Sequence, residues 1–69
     1  MRKTKAQKQM DAAIDRAYSL AFNGVPVDFM DIPKIYKAIR EAIERTLETG
    51  KGSELATTLK QLRDTYART

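Results

Sequence analysis

Residues 31–50 read DIPKIYKAIREAIERTLETG, and this stretch decides the fold because it is the longest strongly periodic segment of the chain. Its large apolar residues recur at intervals of three and four, so they fall on one stripe of an α-helix. Asp31 is suited to the N-cap, Pro33 is tolerated in a first turn, and Gly50 can adopt the left-handed conformation that ends a helix. We therefore predict a long central helix over residues 31–49. Its stripe consists of Ile32, Ile35, Tyr36, Ile39, Ile43 and Leu47.

The preceding segment predicts a first helix over residues 4–22. Thr4 followed three residues later by Gln7 matches a capping box, and Asn23 with Gly24 supplies a stop signal. The inward stripe that we predict is rich in alanine, which lets another helix approach closely. This stripe should lie against the central helix or against a second copy of the chain. It consists of Met10, Ala13, Ile14, Ala17, Leu20 and Ala21.

Between these helices, residues 25–30 have the two-residue period of a strand, because Val25, Val27 and Phe29 alternate with other residues. A single strand needs a partner, so a strand here would pair with the same segment of another subunit. Otherwise the segment is an extended connector whose apolar side chains fill the gap between the two helices. We favour the connector because Pro26 would remove a hydrogen-bond donor from so short a strand.

A third helix is predicted over residues 53–67, after the short turn at residues 50–52. Ser53 is a good N-cap, and Glu54 places a negative charge in the first turn, where it suits the helix dipole. An apolar stripe follows at helical spacing and consists of Leu55, Leu59, Leu62 and Tyr66. The expected fold is therefore an all-α, three-helix domain with a long central helix.

The length of the chain, 69 residues, limits how stable a monomer can be. A single core of this size rarely supplies more than about 3–5 kcal/mol without disulfides, a metal or a partner chain. The chain has no cysteine and no histidine, so disulfides and the common zinc ligand sets are excluded. We therefore expect a homodimer in which a second copy covers the isoleucine stripe of the central helix.

The positive charge is confined to one end. Residues 1–8 contain four basic and no acidic residues, while residues 9–69 contain nine of each, so the formal net charge of +4 belongs to the first eight residues. We divide the chain into a basic N-terminal arm, residues 1–8, and a single helical domain, residues 9–69.

The composition argues against an enzyme, because histidine and cysteine are the most versatile catalytic side chains. Asp28 and Asp31 are better explained as a loop residue beside an N-cap than as a metal or acid–base pair. We expect no cofactor and no bound metal. No segment is apolar for long enough to cross a bilayer, and the basic start does not lead into a hydrophobic signal core. We therefore expect a cytoplasmic protein with no membrane partner.

Aromatic residues and methionines are more numerous than three short helices readily hide, and both residue types suit protein interfaces. The leading hypothesis is a small adaptor, inhibitor or regulator that self-associates and binds another protein. The predicted interface comprises Phe29, Met30, Ile32, Tyr36, Ile39, Ile43 and Tyr66, and the remaining aromatic residues of this excess are Tyr18 and Phe22.

The alternative hypothesis is a dimeric DNA-binding protein or transcriptional regulator that uses the basic arm and the third helix. In a helix-turn-helix protein the third helix would enter the major groove, but the central helix is long for that motif. In a ribbon-helix-helix protein the extended segment would turn Asp28 toward phosphates, which is unfavourable. The candidate nucleic-acid contacts are Arg2, Lys3, Lys5, Lys8, Lys51, Lys60 and Arg63.

Overall fold

The computed structural model describes residues 4–68, and this part of the chain contains three α-helices, as the periodicities predict. Helix α1 spans Lys5–Phe22, α2 spans Ile32–Thr49 and α3 spans Gly52–Tyr66, with a 3₁₀ turn at Phe29–Asp31 between α1 and α2. The all-α class is confirmed. Helices α1 and α2 both have 18 residues, so the central helix is no longer than the first.

The helix ends confirm some of the predicted caps. The side-chain oxygen of Gln7 accepts a hydrogen bond from the Thr4 backbone amide at 3.0 Å, and the Thr4 hydroxyl oxygen accepts one from the Gln7 amide at 3.1 Å. Gly50 has φ 72° and ψ 11°, the left-handed conformation expected at the end of α2. Asp31 occupies the N-cap position of α2, as predicted, but it also ends the 3₁₀ turn, its backbone is helical and its side chain makes no capping hydrogen bond. Ser53 as an N-cap is wrong, because α3 already begins one residue earlier.

Helix α2 is antiparallel to both neighbours. Ala6 and Met10, near the start of α1, line a groove with Leu47, near the end of α2. A two-residue turn joins α2 to α3, so the chain reverses direction there. The C-terminal end of α3 then returns to residue 27, which precedes α2. The start of α1, the end of α2 and the start of α3 therefore lie toward one end of the molecule.

The core is built around α2, whose Ile35 and Ile39 are 0 % exposed. Ile43 and Ala42 are also buried, and α3 covers this side with four half-buried residues, Leu55, Leu59, Leu62 and Tyr66. The expectation that a second copy covers the isoleucine stripe is wrong for these buried residues, because the chain's own helices cover them. Leu47, the last member of that stripe, instead stays 74 % exposed.

Helix α1 presents to the core a face that overlaps the predicted one but is rotated from it. Met10 and Ala21 pack against the core, as predicted. Ile14, Ala17 and Phe22 are buried, whereas Leu20 is 76 % exposed and Ala13 is exposed. The buried face carries larger side chains than the alanine stripe does, so it removes more apolar surface from water. The predicted placement of Ala13 and Leu20 in the core is therefore wrong.

Residues 25–28 are an extended connector, as favoured from the sequence, but Phe29 and Met30 belong to the 3₁₀ turn and are exposed, so the expectation that their side chains fill the gap between the helices is wrong. Val25 and Val27 pack against the core, and Val27 forms an isolated antiparallel bridge with Ala67. The amide of Arg68 donates to the carbonyl oxygen of Pro26 at 2.8 Å. Pro26 is compatible with this pairing because its carbonyl oxygen is the acceptor and no amide hydrogen is needed from it.

Candidate protein interface

Four large apolar side chains stand out on the surface, each more than 70 % exposed. They are Leu20 (76 %), Phe29 (78 %), Met30 (71 %) and Leu47 (74 %). Single exposed apolar residues are normal on proteins, so the informative feature is how they are grouped with their neighbours. Three surfaces contain them: one turn and two grooves.

The first surface is the turn patch, which we define as residues 28–31 with the sequence DFMD. The carboxylate of Asp28 accepts a hydrogen bond from the Met30 amide at 2.9 Å, and the Asp28 carbonyl oxygen accepts one from the Asp31 amide at 2.9 Å. These bonds hold a tight turn whose two central side chains, Phe29 and Met30, point into solvent. The result is an apolar pair between two carboxylates.

The second surface is the Leu59 groove, which lies between α1 and α3. Its lining consists of Leu20, Ala21, Ala56, Leu59, Lys60 and Arg63. The apolar residues form its floor, and the alanines leave room for an incoming side chain. Neither Lys60 nor Arg63 forms an ion pair with another residue between 4 and 68, where the ion pairs are Lys34–Asp31 and Arg40–Glu44.

The third surface is the Leu47 groove, which lies between α1 and α2. Its lining consists of Ala6, Gln9, Met10, Ala13, Ile43 and Leu47. No charged residue lines it, and the α1 side is shallow because two of its four residues are alanine. Such a surface permits the close approach of another helix.

A cluster of three aromatic rings joins α1 to α2. The Tyr18 ring stacks on Phe22 at a centroid distance of 5.0 Å and lies 5.1 Å from the Tyr36 ring. Burial raises the pKa of Tyr36 above its usual 10.0, and a hydrogen bond to the Asp15 carboxylate and the negative charge of that group raise it further. Tyr36 is therefore engaged within the chain.

The predicted interface residues fall into three classes of exposure. Phe29 and Met30 lie together on the surface, whereas Ile39 and Ile43 are buried within the chain and present little or no surface to a partner. Placing Ile39 at an interface is wrong, because it is fully buried within the chain, whereas Ile43 is 9 % exposed and reaches the surface only as part of the lining of the Leu47 groove. The other three predicted residues, Ile32, Tyr36 and Tyr66, are half-buried.

The predicted nucleic-acid contacts do not form one patch in the described residues. Lys5 and Lys8 lie in the first turns of α1, and Lys51 follows α2 at the same end of the molecule. Lys60 and Arg63 lie beside Leu20, which is about 22 Å along α1 from Lys5. The two remaining candidates, Arg2 and Lys3, lie outside the described residues.

Sequence reasoning missed both grooves. Leu20 and Leu47 were assigned to inward stripes, and Leu59 to the core-facing stripe of the third helix. The available signal in α1 was the spacing of Ile14, Tyr18 and Phe22, which lie four residues apart and form an apolar face that excludes Leu20.

Comparison with known proteins adds no assignment: no family model, curated protein or solved structure matches the chain. Residues 4–68 contain no helix that is both long and apolar enough to span a membrane. The same residues contain no group of three or more acidic side chains arranged to hold a metal ion. The turn patch and the two grooves are therefore the features of the chain that bear on its function.

Proposed function

We propose that this chain is a small, non-enzymatic interaction protein that self-associates and binds another protein through its helical surface. The observation that carries the proposal is the exposure of four large apolar side chains on so short a chain. A core of this size rarely supplies more than about 3–5 kcal/mol, and exposed apolar side chains add nothing to it, whereas a partner that covered them would gain the free energy of their burial. An adaptor, an inhibitor or a regulator would have this design.

The surface that best suits a different protein is the Leu47 groove. Its lining is uncharged, so the contact would depend on apolar burial and shape. Because Ala6 and Ala13 project little from α1, the apolar face of a partner helix can lie close to the backbone there. Leu47 would then be the residue that contributes most to binding, since it has the most apolar surface left to bury.

Site-specific photo-crosslinking in the source cell tests this proposal. A photoreactive amino acid is placed at position 47 of the full chain, and a matched variant carries it at position 41. Glu41 is equally on α2 and exposed, but it lines neither groove. We expect a discrete heterologous adduct from position 47 and none from position 41.

The binding partner identified in this way then allows a quantitative test. With the purified partner, Leu47→Asp should weaken binding at least tenfold, whereas Glu41→Lys should change it less than twofold. Equal adducts from both positions, or equal affinities for both variants, would overturn the proposal.

DNA binding is the alternative function that would replace the proposed protein-binding role. In that case affinity for a DNA fragment should fall steeply between about 50 and 200 mM salt, in proportion to the number of phosphates contacted. Lys60→Gln with Arg63→Gln should then reduce the salt dependence, while Leu47→Asp should have little effect.

A further inference from the structure

We propose that the turn patch of one copy binds the Leu59 groove of a second copy, and that the same contact occurs twice in a two-fold symmetric dimer. This inference rests on the proposed function and names the partner and the surface for self-association. It assigns a different surface from the Leu47 groove, which stays open to a heterologous partner.

The apolar parts of the two surfaces are complementary. The turn patch projects two large side chains, Phe29 and Met30, which are 78 % and 71 % exposed. The Leu59 groove has an apolar floor with two alanines, and its Leu20 is 76 % exposed. Within one copy neither surface covers the other, so both are available to a second molecule.

Their charges are also complementary. Two aspartates flank the apolar pair of the turn patch, and Lys60 and Arg63 line the groove. Asp31 has a cis partner in Lys34, but that N–O distance is 3.9 Å and the Lys34 side chain is 69 % exposed, so the pair is weak. The cations of the groove have no ion-pair partner between residues 4 and 68. Docking of the turn patch would supply a carboxylate partner for each of these two cations.

The positions of the two surfaces suit a closed dimer. The amide of Ala67 donates to the carbonyl oxygen of Arg63 at 2.9 Å, and Ala67 forms the bridge with Val27, the residue before the turn patch. The bridge therefore places the turn patch and the Arg63 side of the groove at the same end of the molecule. A surface that contains both a projection and its complement can pair with a copy of itself about a two-fold axis.

Charge exchange tests the pairing directly. The groove variant carries Lys60→Glu and Arg63→Glu. The turn variant carries Asp28→Asn and Asp31→Lys, because asparagine keeps the oxygen that accepts from the Met30 amide. Each variant alone brings like charges together in both contacts. In an equimolar mixture the two variants can form a dimer with one copy of each, and in that dimer both turn patches meet a groove of opposite charge.

Sedimentation of the full chain over about 1–500 μM provides the measurement. We expect a monomer–dimer equilibrium for the unmodified chain, a dissociation constant raised at least tenfold for each variant, and recovery in the mixture to within about threefold of the original value. Phe29→Ala should weaken the dimer by roughly thirtyfold or more, because each dimer loses two such side chains. Circular dichroism confirms that each variant is folded, and Lys37→Glu is the exposed control on α2.

The results separate this inference from the proposed function. A chain that stays monomeric throughout, a dimer insensitive to both variants, or a mixture without recovery would overturn the two-fold pairing. If position 47 still formed its heterologous adduct, the part of the proposed function that concerns binding another protein would stand. Conversely, recovery of the dimer in the mixture without any adduct from position 47 would support this pairing and overturn the heterologous role.

Discussion

Comparing Ile39→Ala with Leu47→Ala distinguishes a core position from a surface position on the same apolar stripe of α2. Ile39 and Leu47 both belong to the apolar stripe of α2, but Ile39 is 0 % exposed and Leu47 is 74 % exposed. The first should therefore matter to folding in dilute solution, and the second should not.

The expected size of the effect follows from this burial. Truncating a buried isoleucine to alanine costs about 2–5 kcal/mol, because it removes buried surface and leaves a cavity. A single core in a chain of this length rarely supplies more than about 3–5 kcal/mol. If the free energy of unfolding falls from about 4 to about 1 kcal/mol, roughly 15 % of the molecules are unfolded at 25 °C. The milder Ile39→Val should cost about 0.5–1.5 kcal/mol, and Leu47→Ala less than about 0.5 kcal/mol.

Urea unfolding followed by circular dichroism measures these differences, provided that it is repeated at about 2 and 200 μM protein. The loss at position 39 should be as large at the lower concentration as at the higher one, since the chain's own helices bury this residue. A loss below about 1 kcal/mol for Ile39→Ala at 2 μM, or an equal loss for Leu47→Ala, would show that the core assignment is incorrect.

Three further predictions concern local structure. Gly50→Ala should lower the free energy of unfolding by about 1 kcal/mol, because Gly50 has φ +72°. Gly52 is helical and has open space around it, so Gly52→Ala should be neutral or should raise that free energy by up to about 1 kcal/mol. Thermal unfolding compares the two variants. Asp28→Ala should lower the free energy of unfolding by about 1 kcal/mol, because it removes the hydrogen bond from the Met30 amide in the 3₁₀ turn. Asp31→Ala removes no capping hydrogen bond, so it should lower that free energy by less than about 0.5 kcal/mol. Urea unfolding measures both changes. Tyr36 should ionise above pH 10.0 in an ultraviolet titration, in a step absent from Tyr36→Phe. Because the unfolded chain releases this proton first, the free energy of unfolding should fall as the pH rises above that value, and should not depend on this group below it.

The sequence was sufficient wherever the signal was local. The capping box at Thr4 and the left-handed glycine at position 50 depend on backbone and side-chain atoms within about four residues, and both are present. The three helices follow from apolar periodicity for the same reason. Asp31 takes the predicted N-cap position without its side-chain hydrogen bond, because its backbone is already helical after the 3₁₀ turn. The cap expected at Ser53 is wrong because helical backbone begins at Gly52, earlier than a single residue type can indicate.

The orientation of α1 shows what local reasoning could not determine. The predicted and observed inward faces share Ile14 and Ala17 but differ by roughly 60° of rotation about the helix axis. The Tyr18 ring stacks on Phe22 within α1 and contacts Tyr36 on α2. The second of these is a contact between helices, and with this face of α1 turned inward Leu20 lies on the surface.

The candidate site was predictable only in part for the same reason. Phe29 and Met30 could be named from sequence because a connector of a few residues offers little to cover them. The Leu59 groove exists only because α1 and α3, which are distant in sequence, lie side by side. Its lining therefore became visible only when the relative positions of the helices were known.

The exposed apolar residues link the stability of this chain to its proposed function. Fully burying one such side chain contributes about 1.5–3 kcal/mol, which is comparable with the about 3–5 kcal/mol expected for the whole folded monomer. Docking of two turn patches would bury the side chains of Phe29 and Met30 in each copy. A partner that binds only the folded chain also shifts the folding equilibrium toward it, in proportion to the logarithm of its concentration relative to the dissociation constant. Association through these surfaces would therefore supply the stability that a core without disulfides or metal cannot.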